Sequence, residues 1–200
     1  FLKVVSLGTA GFMIGCTNKP TTGPTPGQTQ TPRSTATPAI SPTPASETDE
    51  EALNAFVKIG SDDTVTVVIK HAEFGQGVTT GLTTIVAEEL DARWDQMKWE
   101  FAPADASRYA NLKFGTVQGT GGSSSIANSW HQLREAGAGA KAMLVAAAAE
   151  AWQVKPEEIT AADGKLSHKN GKSGTYGEFA AVAAKLTPPE KVTLKDPKDF

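Results

Sequence analysis

Two stretches, Glu73-Phe74-Gly75-Gln76-Gly77 and Gly119-Thr120-Gly121-Gly122-Ser123-Ser124-Ser125, decide how the chain reads. Each is a glycine-rich turn that runs straight into a helical pattern. The first backbone N–H groups of a helix have no intrahelical partner, and the helix dipole favours negative charge there. Two such starts in one small domain are suited to cradling a large phosphorylated ligand.

The residues between and around the turns alternate strand and helix signals. Phe56-Val57-Lys58-Ile59 and Thr64 to Lys70 read as strands joined by Gly60-Ser61-Asp62-Asp63. Val65, Val67 and Ile69 alternate with polar residues, Val68 being the exception, which predicts a strand at least half buried. Val78, Leu82, Ile85, Val86 and Leu90 fall on one helical face, with Glu89 on that face and Glu88 off it. Glu88 is therefore expected to be solvated and Glu89 to find a partner or water. Met97, Trp99 and Phe101 mark a further strand, and Asp105 after Pro103 a turn.

A long helix is expected from Ile126 to Trp152, rich in alanine and interrupted by Gly137 and Gly139. Each glycine costs about 1 kcal/mol in a helix interior relative to alanine, so close packing of that face is the expected compensation. Pro156-Glu157 opens a short turn. Lys165–His168 and Gly174–Tyr176 suggest a hairpin about Asn170-Gly171, and Gly177 to Leu186 a last helix. The predicted class is α+β, a small mixed sheet with helices packed on one side.

Composition narrows the function. All 22 acidic residues lie from Glu47 onward, where they face 16 of the 19 basic residues, a formal net of −6. That balance argues against a nucleic-acid surface, which needs clustered positive charge. A single cysteine, Cys16, rules out an internal disulfide and any multi-cysteine metal centre. His71, His131 and His168 have no paired spacing for a metal site, and the serines of the second turn sit in no Gly-x-Ser-x-Gly elbow.

The N-terminal residues differ in kind. Val4 to Gly15 is uncharged but too short to span a bilayer as a helix. Phe1-Leu2-Lys3 resembles the end of a twin-arginine signal, and Met13-Ile14-Gly15-Cys16 resembles a lipobox, with Cys16 as the lipidation site. A chance apolar start with a free thiol is the alternative. Residues 17–51 are expected to form a disordered tether, since Thr17 to Ser46 is almost entirely Thr, Pro, Gly, Ser, Ala and Gln. The globular part is expected over 52–200. Without an initiator Met, and with Phe200 breaking off continuing sequence, the chain is expected to be a piece of a longer one.

In the turns themselves, Gly75 and Gly77 would let backbone approach a ligand while the Gln76 amide donates and accepts. An ordinary tight turn is the plain alternative. Thr120 to Ser125 offers backbone amides and hydroxyls to a phosphate, or simply an N-cap.

Together with Val86-Ala87-Glu88-Glu89-Leu90-Asp91, Ala102-Pro103-Ala104-Asp105 and Leu194 to Phe200, these turns make the chain resemble the N-terminal part of a known subunit. This is the large, molybdopterin-binding subunit of the xanthine dehydrogenase/aldehyde oxidase family, in particular its exported isoquinoline 1-oxidoreductase-like branch. Phe74 stands where that family usually has Met. The resemblance implies that Gly75, Gln76 and Gly77 contact the pterin. Gly121, Gly122, Ser123, Ser124 and Ser125 would hold phosphates of molybdopterin cytosine dinucleotide. It further implies oxidation of N-heterocycles or aldehydes with water-derived oxygen, a small 2Fe–2S subunit as partner and, in some members, a c-type cytochrome. The implied location is the periplasm or the outer face of the cytoplasmic membrane. The family's glutamate base has no counterpart here, so no catalytic residue is carried over. A membrane-tethered lipoprotein without catalysis, or a purely scaffolding lobe, are the rival readings.

Overall fold

A computed structural model describes Lys3–Ser6, Phe12–Gly15 and residues 49–200. Lys3–Ser6 (β1) and Phe12–Gly15 (β2) pair antiparallel, Lys3 opposite Gly15. They belong to a unit of their own, Phe1–Thr43, separate from the unit Pro44–Phe200. Cys16 and residues 17–48 of the expected tether lie outside the described residues.

The larger unit is built on a four-stranded sheet, β3 (Glu50–Ala52), β4 (Val57–Gly60), β5 (Val65–Ile69) and β6 (Met97–Phe101), in that order. Glu50 and Glu51, at the end of the expected tether, are strand residues paired with Gly60 and Ile59. The first three strands are antiparallel neighbours, whereas β5 and β6 are parallel. A parallel pair needs a crossover, and helix α1 (Val78–Leu90) supplies it.

Every residue of β5 is buried, Val68 included, so the sheet is covered on both faces at its centre. The predicted apolar face of α1 is buried, from Val78 at 3% exposure to Leu90 at 0%. β6 forms as predicted, but Trp99 and Phe101 are 47% and 51% exposed. They stand beside buried Val67 and Ile69, yet β6 is an edge strand of the sheet.

Helix α2 (Ala106–Tyr109), not expected from the sequence, is capped by Asp105, whose carboxylate accepts from the Ser107 amide. The long helix α3 (Ser125–Trp152) packs along α1. A Cβ on Gly137 would stand 3.0 Å from Glu89 Cβ and 3.1 Å from the Val86 carbonyl oxygen, the predicted close approach. A Cβ on Gly139 would meet nothing within 4 Å, so packing does not account for that glycine.

Beyond α3 lies a second sheet, β7 (Ile159–Ala162), β8 (Lys165–His168) and β9 (Ser173–Thr175), antiparallel throughout. The predicted hairpin is β8–β9, but Tyr176 starts helix α4 (Tyr176–Ala183) instead of ending the strand. Strand β7 is an addition, joined to β8 by Asp163-Gly164, both left-handed at φ 49° and 68°. Tyr176 is wholly buried and its hydroxyl donates to the Leu90 carbonyl at 2.6 Å, fixing α4 to the end of α1.

Charge pins the C-terminal segment down. Glu89, 0% exposed, receives Arg134 Nε at 2.5 Å and the Lys195 amide at 3.0 Å. Arg134 also donates to the Lys195 carbonyl, and its guanidinium carbon lies 5.3 Å and 5.2 Å from the ring centroids of Trp130 and Phe200. Glu88 is not simply solvated: it pairs with Lys195 Nζ at 2.7 Å, as Asp91 does. Its partner comes from distant sequence, which helical periodicity cannot report.

Candidate functional site

The two glycine turns come together. Chain leaving β5 enters Lys70 and His71, turns at residues 72–77 and starts α1. Chain leaving α2 loops through residues 110–124 and starts α3. The Ala72 amide donates to Thr120 Oγ1 at 2.7 Å, joining the turns directly. His71 Nε2 lies 3.2 Å from Ser129 Oγ, one turn into α3.

The first turn is organised by Glu73. Its Oε1 accepts from the amides of Gly75 at 2.7 Å and Gly77 at 3.0 Å, and its Oε2 from the Thr79 amide and hydroxyl. Those donors, led by Thr79 and then Gly77, pull its carboxyl from 4.5 down to about 2. The carboxylate thus occupies the positive end of α1. Of the two helix starts suited to an anion, the first is therefore already filled from within. An acidic residue just ahead of a helix was the available signal.

Gln76 is also engaged. Its Oε1 accepts from the Phe74 amide and its Nε2 donates to the Ala72 carbonyl, both at 2.7 Å. A side-chain amide has two donors and two acceptor lone pairs, so half its capacity remains for a ligand edge. Gly75 and Gly77 adopt φ 102° and 77°, which L side chains rarely adopt, and no atom lies within 4 Å of where a Cβ would sit. The turn presents bare backbone to its surroundings.

The second turn differs. Helix α3 has no side-chain cap hydrogen bond and no acidic residue in its first turn. Gly122 and Ser123 are left-handed, at φ 59° and 52°, and exposed. Ser124 is 3% exposed, its hydroxyl donating to Gly121 O at 2.7 Å and accepting from Asn111 Nδ2 at 2.9 Å. Asn111, 0% exposed, also donates to Gly119 O. Of the five residues expected at the phosphates, Ser124 is thus structural through its side chain, and Gly121, Gly122, Ser123 and Ser125 offer mainly backbone and open hydroxyls.

Behind both turns sit two basic groups that the motifs alone did not single out. Lys70, 7% exposed, donates to Ala110 O and Gln132 Oε1, and burial pushes its pKa down. His71 is 1% exposed, its pKa lowered by burial and then by the Lys70 charge. The His71 Nδ1 and Asn128 Oδ1 atoms are buried without a hydrogen bond.

The chain is similar to known proteins. A family model described as molybdopterin cofactor-binding domain matches residues 12–199. The beta subunit of isoquinoline 1-oxidoreductase from Brevundimonas diminuta is 38% identical over 130 residues, 64% of this chain and 16% of that protein. The membrane-bound aldehyde dehydrogenase (pyrroloquinoline-quinone) of Gluconacetobacter polyoxogenes is 32% identical over 62% of this chain and 15% of its own length. A nicotinate dehydrogenase subunit of Pseudomonas putida is 33% identical over 65% of this chain and 10% of its own. The chain therefore spans only a minor part of the curated relatives it matches. Among solved structures, quinoline 2-oxidoreductase from Pseudomonas putida 86 aligns with a TM-score of 0.47 at 20% identity, over 67% of this chain and 17% of that one.

Proposed function

Because this chain belongs to the molybdopterin cofactor-binding domain family, we propose that its joined turns grip a molybdopterin cofactor as the N-terminal part of a molybdenum hydroxylase subunit. The Ala72–Thr120 hydrogen bond carries this reading, since it sets two bare-backbone turns side by side. Gly75, Gln76 and Gly77 would meet the pterin, Gln76 with the donor and acceptor its own loop leaves free. Gly121 to Ser125 would take the phosphates, in the cytosine dinucleotide form. The uncapped start of α3 fits an anion, whereas the start of α1 does not.

Among the described residues no group of three or more His, Cys, Asp or Glu could hold a metal ion. These residues would thus bind and orient the organic part of the cofactor, while buried Lys70 and His71 back the turns. Once bound, the cofactor supplies the redox centre at which a substrate carbon is oxidised. The substrate class is N-heterocycles or aldehydes, supported by relatives named for isoquinoline, nicotinate and aldehyde. A small 2Fe–2S subunit and a c-type cytochrome complete the proposed assembly. Two relatives named as subunits support a multi-subunit enzyme.

We also propose export and a lipid anchor at Cys16, followed by the Thr/Pro-rich tether, on the outer face of the membrane. The N-terminal sequence and the membrane-bound relative support this. Loss of palmitate labelling in Cys16→Ser would test it. The family match disfavours a non-catalytic lipoprotein. The deciding experiment is Gln76→Ala in the full-length protein. Molybdenum content per protein should fall, and unchanged content would make this lobe a scaffold.

A further inference from the structure

Beside the second turn lies a pair of residues outside both glycine motifs. Lys113 Nζ donates to the Gly122 carbonyl at 3.1 Å. The Phe114 ring runs along the same turn: a Cβ on Gly119 would stand 3.4 Å from it, and one on Gly121 or Gly122 3.9 Å. Both are set in place by Asn111, whose Oδ1 accepts from the Lys113 amide and whose carbonyl accepts from the Phe114 amide. Asn111 is the same side chain that holds Gly119 and Ser124, so the pair and the turn share one buried anchor.

This placement gathers positive charge at an exposed turn. The start of a helix of 28 residues carries partial positive charge, and its first turn has no acidic residue. Lys113 adds a full positive charge there, and among the described residues it forms no ion pair. An ammonium has three donors, and the Gly122 carbonyl takes one. Independently, His71, 1% exposed, lies behind the turn with its ring facing the Gly119 backbone and its Nδ1 outside hydrogen-bond geometry. The helix start and the Lys113 ammonium, with two donors open, therefore face one turn.

We propose that Lys113 is an anion-contacting residue of the Gly121–Ser125 turn and that Phe114 is its cover. A phosphate group at the start of α3 is held between the helix N–H groups and the Lys113 ammonium, and the Phe114 ring keeps water from one side. This rests on the assignment of that turn to the phosphates of the cofactor. It adds a residue that lies ahead of the glycine motif, on the loop leaving α2.

Inorganic pyrophosphate, titrated into the 200-residue chain at low salt and followed through backbone amide NMR shifts, tests it. Shifts are expected at Gly121, Gly122, Ser123, Ser124 and Ser125. Lys113→Gln should weaken binding roughly five- to tenfold, as expected for losing one charge-assisted hydrogen bond, and Lys113→Arg should restore it. The same spectra report whether each variant is folded. If Lys113→Gln titrates like the parent, the role of Lys113 is overturned while the turn's assignment stands. If no protein shows shifts at the turn, the assignment falls and the proposal falls with it.

Discussion

The Ala72 amide and the Thr120 hydroxyl, 48 residues apart in sequence, form the hydrogen bond that makes one site of two turns. Thr120→Val keeps the shape of the side chain and removes the acceptor. A loss of about 1 kcal/mol or less is expected from denaturant midpoints, with Thr120→Ser close to the parent. Amide exchange at Ala72 should accelerate in the valine variant alone. Unchanged protection there would mean that the turns are held together by other contacts.

Glu73 makes the fold sensitive to acid in a defined window. Its carboxyl titrates at about 2 in the folded protein and near 4.5 otherwise, because Thr79, Gly77 and Gly75 donate to its ionised form. A depressed folded pKa stabilises above the unfolded value and ceases to do so as pH falls toward the folded one. Stability should therefore decline between about pH 4.5 and 2, and Glu73→Gln should flatten that decline. Urea midpoints across the range decide the matter. An equally steep acid limb in Glu73→Gln would assign it to other carboxylates.

Local periodicity made β5 and α1 readable, and an alanine-rich run made α3 so. The predicted start of α3 at Ile126 differs by a single residue from Ser125. What was not readable depends on partners far along the chain. Strand β7 is short and alanine-rich, and the Asp163-Gly164 turn that fixes it is a two-residue signal. The alternation of Trp99 and Phe101 marked a strand but could not say that β6 would be an edge strand. In the site, the glycines were legible, being needed for backbone shape. The roles of Glu73, Asn111 and Lys113 were not read: that of Glu73 is local and its place ahead of a helix was the signal, whereas Asn111 and Lys113 act on Gly119, Gly122 and Ser124 only once residues 110–124 fold back on themselves.

The buried pair Glu89–Arg134 should respond asymmetrically to substitution. Their side chains are 1% and 6% exposed, and Glu89 also receives the Lys195 amide. Arg134→Met leaves a buried carboxylate short of a partner, and breaking such a pair costs roughly 3–5 kcal/mol. Glu89→Leu with Arg134→Met removes both charges and should recover part of that loss. Thermal unfolding of the two single variants and the double gives the coupling. Strict additivity would show that the pair contributes nothing beyond its separate side chains.

Gly137 and Gly139 occupy one helix two residues apart, yet alanine should act on them in opposite directions. In helix interiors alanine is favoured over glycine by about 1 kcal/mol, and that gain applies at both positions. At Gly139 nothing opposes it, because a Cβ there enters open space. Gly139→Ala should therefore raise the unfolding midpoint. At Gly137 the added carbon meets the Val86 carbonyl oxygen at 3.1 Å and Glu89 Cβ at 3.0 Å, neither of them the end of a flexible side chain. Accommodating it requires α1 and α3 to separate, which loosens the contact that carries Glu89 to Arg134. Gly137→Ala should lower the midpoint despite its helix propensity. If it were instead stabilising, α1 and α3 would have to yield without loss, and close packing would no longer explain the glycine.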